Sequence, residues 1–175
     1  IKEVSKVLRS GKVNYWTGNN CKNFEKLYKK KFGLNYCIAV ANGTVALEAA
    51  LRSLDLSKYD EVLVPSKSYQ SSASAVVTSG AKPIFCDIDY NSQNIKIDDI
   101  QKKISNKTKA IICVHLGGWP CEINKIMKIA KKKNIFVIED CSQAHGAKLN
   151  NKFVGSFGDI AIWSFCNDKI ISTGG

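Results

Sequence analysis

The sequence predicts an α/β fold: three layers, with helices on both faces of a mostly parallel sheet. Two observations carry this. From about residue 37 onward, short β-branched runs alternate with stretches of helical periodicity, the order that parallel strands and crossover helices require. The strand-like runs are continuously apolar instead of alternating, which is how strands covered on both faces read. With 175 residues and 45% apolar content the chain can bury one sizeable core. No linker, repeat or low-complexity stretch divides it, so residues 1–175 read as a single domain.

Taken in order, the first forty residues form two amphipathic helices. Val4, Val7 and Leu8 make the stripe of one, stopped by Gly11, and Phe24, Leu27 and Tyr28 that of the other, stopped by Gly33. Between them, N-Y-W-T-G-N-N at 14–20 is turn chemistry. Strands are predicted at 37–40, 61–64, 83–87, 110–115, 135–139 and 160–165, and helices at 45–54, 71–79, 97–104 and 123–133. Asn150-Asn151 between short flanking runs reads as a small hairpin ahead of the last strand.

Composition narrows the function classes. The net charge of +11 does not read as a nucleic-acid footprint: of 26 basic residues only Arg9 and Arg52 are arginines, and the lysines spread along predicted helix faces. No apolar run reaches membrane-spanning length. Seven cysteines without a C-x-x-C argue against a zinc ribbon or a redox dithiol, and Cys37, Cys86 and Cys113 fall in apolar runs as small buried hydrophobes. An odd count without a secretory pattern fits a reducing cytoplasm.

Chemistry-bearing residues gather at the predicted carboxyl ends of strands, where open α/β sheets bind ligands. Asn42-Gly43-Thr44 opens a helix: Gly43 allows close backbone approach and the Thr44 hydroxyl can cap, leaving first-turn N–H groups for a phosphate, or merely an ordinary cap. Tyr69 follows the second strand and can stack on a planar ligand or pack. Asp140 ends F-V-I-E-D as a cap, a metal ligand, or the partner of a protonated ring nitrogen, with Gln143 and His145 close behind. With two histidines and no H-x-x-x-H, metal is the weaker of these, and no metal is assigned. Ser164 ends the last strand and offers a hydroxyl. Lys169 follows it, either as a solvated loop residue or as an amine that desolvation keeps neutral for covalent chemistry. Together these are the groups needed to hold pyridoxal 5′-phosphate.

The segments A-N-G-T-V-A-L, V-P-S-K-S-Y, A-K-P-I-F-C-D-I-D, V-H-L-G-G-W-P-C, V-I-E-D-C-S-Q-A-H-G-A, V-G-S-F-G-D and W-S-F-C-N-D-K-I-I-S-T-G-G occur in this order. On them the chain resembles the DegT/DnrJ/EryC1/StrS sugar aminotransferases, which have the large-domain fold of fold-type I pyridoxal-phosphate enzymes. The resemblance implies that Lys169 bonds covalently to the cofactor and moves the substrate proton. It implies that Asp140 pairs with the pyridine nitrogen, that Gln143 lies near the phenolic oxygen, that Tyr69 stacks on the ring, and that Gly43, Thr44 and Ser164 hold the phosphate. It further implies transfer of an amino group, usually from glutamate, to a nucleotide-linked keto sugar by a cytoplasmic homodimer. A dehydratase branch of the family carries His in place of the lysine, and Lys169 speaks against it. A non-enzymatic regulator with this fold is the other alternative. The family pattern continues past Gly175 into a further strand and a small domain. The resemblance therefore implies the N-terminal part of a truncated large domain, inactive alone, with a sheet gap between the strands at 37–40 and 160–165.

Overall fold

The computed structural model describes residues 1–174; Gly175, the last residue of the lysine motif, lies outside them. Contacts gather into two units, Ile1–Ala39 and Val40–Gly175.

The first unit holds helices α1 (Lys2–Arg9) and α2 (Asn20–Phe32). The turn between them is built on Asn14, whose Oδ1 accepts hydrogen bonds from the N–H groups of Trp16 and Thr17 at 3.0 Å. Helix α2 stacks Tyr28 on Phe32, with ring centroids 4.4 Å apart, and ends where Gly33 turns left-handed at φ 66°.

The second unit is the predicted three-layer sandwich. Strands β1 (Glu61–Pro65), β2 (Lys82–Cys86), β3 (Thr108–Val114), β4 (Phe136–Asp140) and β7 (Ile160–Ile162) form one wholly parallel sheet in the order β2-β1-β3-β4-β7. The hairpin strands β5 (Lys148–Leu149) and β6 (Lys152–Phe153) turn on Asn150 and Asn151, both at positive φ, as the Asn pair predicts. Pro83 falls on the edge strand β2, where a missing ladder N–H does least harm.

Side-chain alternation along the strands builds two cores. Val62, Val64, Ala110, Ile112 and Ile138 pack beneath α3 (Gly43–Arg52) and α4 (Ser71–Thr78). Leu63, Ile111, Cys113 and Val137 pack on the other face with α5 (Ile97–Lys103) and α6 (Ile123–Lys133). Cys86 and Cys113 are buried as expected, and burial pushes both thiols up, Cys86 to about 12. Cys37 is only partly buried.

Two expectations need correcting. Residues 37–40 form no strand: a strand exists by its ladder partners, and this segment has none among the described residues, leaving Ile38 exposed. The last strand is also shorter than its apolar run. Ile162 pairs with Asp140, the end of β4, so beyond it residues 163–165 have no parallel neighbour to extend the ladder.

Candidate active site at the carboxyl edge of the sheet

Because every strand of the sheet is parallel, its carboxyl ends share one edge, where such folds place ligands. Helix α3 begins there. Its cap is Asn42, not Thr44: Asn42 Oδ1 accepts from the Val45 N–H at 2.9 Å. That leaves the Thr44 hydroxyl and the N–H groups of Gly43 and Thr44 outside the cap. A Cβ added at Gly43 would stand 3.0 Å from the Ser164 Cβ and 3.5 Å from the Ser142 and Ser164 hydroxyl oxygens. The helix start thus lies against the Ser164 side chain, with the Ser142 and Ser164 hydroxyls in ordinary contact distance. An N-terminal helix dipole with N–H groups and hydroxyls gathered beside it is a cradle for an anion.

Asp140 ends β4 and is 5% exposed. Its Oδ1 accepts from the Ser142 N–H at 3.0 Å, an Asx-type turn instead of a helix cap. Burial pushes its carboxyl above the usual carboxylate range, and the opposing pull of Ser142, His115 and Lys169 does not cancel this. A buried acid short of partners is suited to a cationic neighbour. Three residues on, the Gln143 side-chain oxygen accepts from the Gly117 N–H at 2.7 Å, which fixes the amide and turns its NH2 group into the available donor.

Lys169 lies in a turn closed by its N–H to the Cys166 carbonyl at 3.0 Å, and its Nζ meets Asp168 Oδ2 at 3.1 Å. Nearby, His145 is 8% exposed with neither ring nitrogen hydrogen-bonded among the described residues, and its ring stands edge-on to Phe165 at 5.0 Å. Burial, and then the Lys169 cation, push the imidazole below its usual value. Tyr69 follows β1 as expected, but its ring is 75% exposed and is not drawn onto the other residues.

The structure also brings together a group the sequence does not single out. Glu139, His115 and Cys141 offer ligand atoms within 4.8 Å of one another, all buried. They do not fit a metal. Both Glu139 oxygens are taken by N–H donors, and His115 Nδ1 already accepts from the Cys121 N–H at 3.0 Å, so Nε2 carries the proton. The signal in the sequence was a second acid, Glu139, directly behind the apolar Phe136-Val137-Ile138 and before Asp140.

The model of the DegT/DnrJ/EryC1/StrS aminotransferase family matches residues 1–175. The chain belongs to this family. It is 47% identical over 157 residues to the GDP-perosamine synthase of Escherichia coli O157:H7, covering 90% of this chain and 43% of that protein. The solved aminotransferase from Psychrobacter cryohalolentis superposes with a TM-score of 0.96 at 49% identity, covering 98% of this chain and 44% of that one. A protein from Streptococcus pneumoniae in its PLP form superposes at 0.93 with 28% identity, over 98% of this chain and 47% of that one. The chain thus spans less than half the length of these relatives. No helix among the described residues is long and apolar enough to cross a membrane.

Proposed function

We propose that residues 1–175 are the N-terminal part of the large pyridoxal-phosphate domain of an aminotransferase, which moves an amino group from an amino acid, glutamate, to a nucleotide-linked keto sugar. The observation that carries this is Asp140, a buried carboxylate raised above its usual range beside an anion cradle and a lysine on one sheet edge. The relative that makes GDP-perosamine supports a nucleotide-linked sugar as acceptor.

The residues present fit pyridoxal 5′-phosphate. A phosphate suits the N–H groups of Gly43 and Thr44 with the Ser164 hydroxyl, and Ser142 adds a second hydroxyl. Asp140 suits a protonated ring nitrogen, the Gln143 NH2 a phenolic oxygen, and the exposed Tyr69 ring a stacking face. The bound cofactor supplies an electron sink for a carbanion at the substrate Cα. Asp140 holds the proton on the ring nitrogen, because an opposite charge within hydrogen-bond reach favours the cation. Lys169 Nζ would hold the cofactor covalently and, once the donor's amine displaced it, would be the free amine placed to take the proton from the donor's Cα as general base. Gln143 orients the ring through an amide that Gly117 already locks. The reading includes a cytoplasmic location and a homodimer, the latter checked by sedimentation of the purified protein.

The test is a panel of GDP-, dTDP- and UDP-linked keto sugars offered to the purified full-length enzyme with glutamate and pyridoxal phosphate. Mass spectrometry should find an amine on one sugar. Cofactor uptake with no aminated sugar from any of them would reject the acceptor class.

A further inference from the structure

We propose that Glu139 is a positioning residue: a buried carboxylate that sets where Asp140, Ser164 and Lys169 stand by tying together the ends of three strands. The proposal rests on the aminotransferase reading above.

Glu139 is fully buried, and strand alternation turns it to the face opposite Asp140, so it acts on the site through other residues. Its Oε1 accepts from the N–H groups of Phe157 at 2.7 Å and Gly158 at 2.6 Å. Its Oε2 accepts from the Gly155 N–H at 2.8 Å and from His115 Nε2 at 3.0 Å. Burial alone would raise this carboxyl, but His115 and the amides of Gly158 and Gly155 outweigh it and hold it below the usual range. Four donors thus meet its two oxygens. His115, the donor from the end of β3, also gives its backbone N–H to the Asp140 carbonyl at 3.1 Å. The three amides belong to the segment 155–158 that delivers the chain into β7, the strand leading to Ser164 and Lys169.

The V-G-S-F-G-D motif is shaped around this carboxylate. Gly155 sits at φ 85°, where a side chain would also collide with the Trp163 ring. A Cβ on Gly158 would lie 2.7 Å from the Val137 carbonyl oxygen and 3.4 Å from Glu139 Oε1. Asp159 completes the tie, accepting from the Val137 N–H at 2.8 Å and donating its own N–H to the Val137 carbonyl at 2.9 Å. A residue needed only to fill the core would be apolar, since burying a charge carries a large desolvation cost.

Glu139→Gln keeps the shape but sets an NH2 against the donors from Gly155 and His115. With the full-length enzyme loaded with pyridoxal phosphate, the expected result is a kcat about 10²-fold lower with the glutamate KM within twofold, the signature of displaced reacting groups. The circular dichroism of the bound cofactor should change with it. In the cofactor-free protein, amide hydrogen exchange should quicken at 140–143 and 160–165 while α4 and β2 keep wild-type protection. Should Glu139→Gln not fold, His115→Gln removes one tie and spares the three amides, and the same changes are expected at smaller amplitude. A variant that loses only melting temperature, with wild-type kcat, cofactor dichroism and local exchange, would reduce Glu139 to a structural residue. A wild-type protein that takes up no cofactor would instead remove the aminotransferase reading, and this proposal with it.

Discussion

Glu139 and Asp140 are chain neighbours, both nearly sealed from water, yet their acids are driven in opposite directions. The difference is partners: Glu139 has donors on both oxygens, whereas Asp140 has the Ser142 N–H. Its folded value lies above the 3.8 of the unfolded chain, so its neutral form fits the fold and ionisation costs stability at pH 7. Asp140→Asn should therefore raise the melting temperature of the cofactor-free protein at neutral pH while slowing turnover by about 10²-fold or more. A lower melting temperature would mean that the carboxylate is a structural acceptor. Lys169→Ala should abolish turnover yet leave cofactor bound noncovalently, read as absorbance that borohydride no longer fixes to the protein. Turnover surviving that change would reject the mechanism.

At the level of elements, much was legible in the sequence. Continuous apolar runs marked β1, β3 and β4 because strands covered on both faces have little polar side to show, and Gly33 marked the end of α2 because its left-handed φ favours glycine. What the sequence could not carry was anything fixed by a distant neighbour. Residues 37–40 look like a strand but lack a ladder partner among the described residues, and Ser164 and Lys169 stand beyond the short β7. The helix cap shows the same limit at shorter range: Asn42 and Thr44 both suit the start of α3, and only geometry chooses Asn42. Asn42→Ala should cost about 1 kcal/mol of stability in chemical denaturation, with Thr44→Ala costing clearly less. Equal costs would show that both residues cap. Gly43→Ala brings a methyl to 3.0 Å from Ser164 and should weaken cofactor affinity more than it lowers the melting temperature. The reverse order, stability lost with affinity kept, would place the close approach outside the phosphate cradle.

Across the whole molecule, mildly acidic pH sets two site residues against each other. His145 has a folded value below the 6.5 of the unfolded chain, because burial and the Lys169 cation disfavour its charged form. Its contribution is present above pH 6.5 and is lost as pH falls toward the folded value, since the unfolded chain takes up the proton first. Asp140 has the opposite sign: its contribution is complete below 3.8 and is lost as pH rises through its raised folded value. Glu139 is held down, and the better exposed Asp60, Asp89 and Asp99 are also lowered by their hydrogen bonds, so their contributions begin to be lost as pH falls into the ordinary carboxylate range and are gone below their folded values. As pH falls below 6.5, then, acidification removes stability at His145, and it restores stability at Asp140 as pH falls through that group's raised folded value. In cofactor-free protein, His145→Phe should flatten or reverse the fall in melting temperature below pH 6.5, keeping the edge contact with Phe165 while removing the titration. Asp140→Asn should remove the stability that the wild type regains as pH falls through the raised folded value of Asp140. Melting curves at half-unit pH steps for the wild type and both variants decide the matter. If the three slopes coincide, neither buried group carries the coupling.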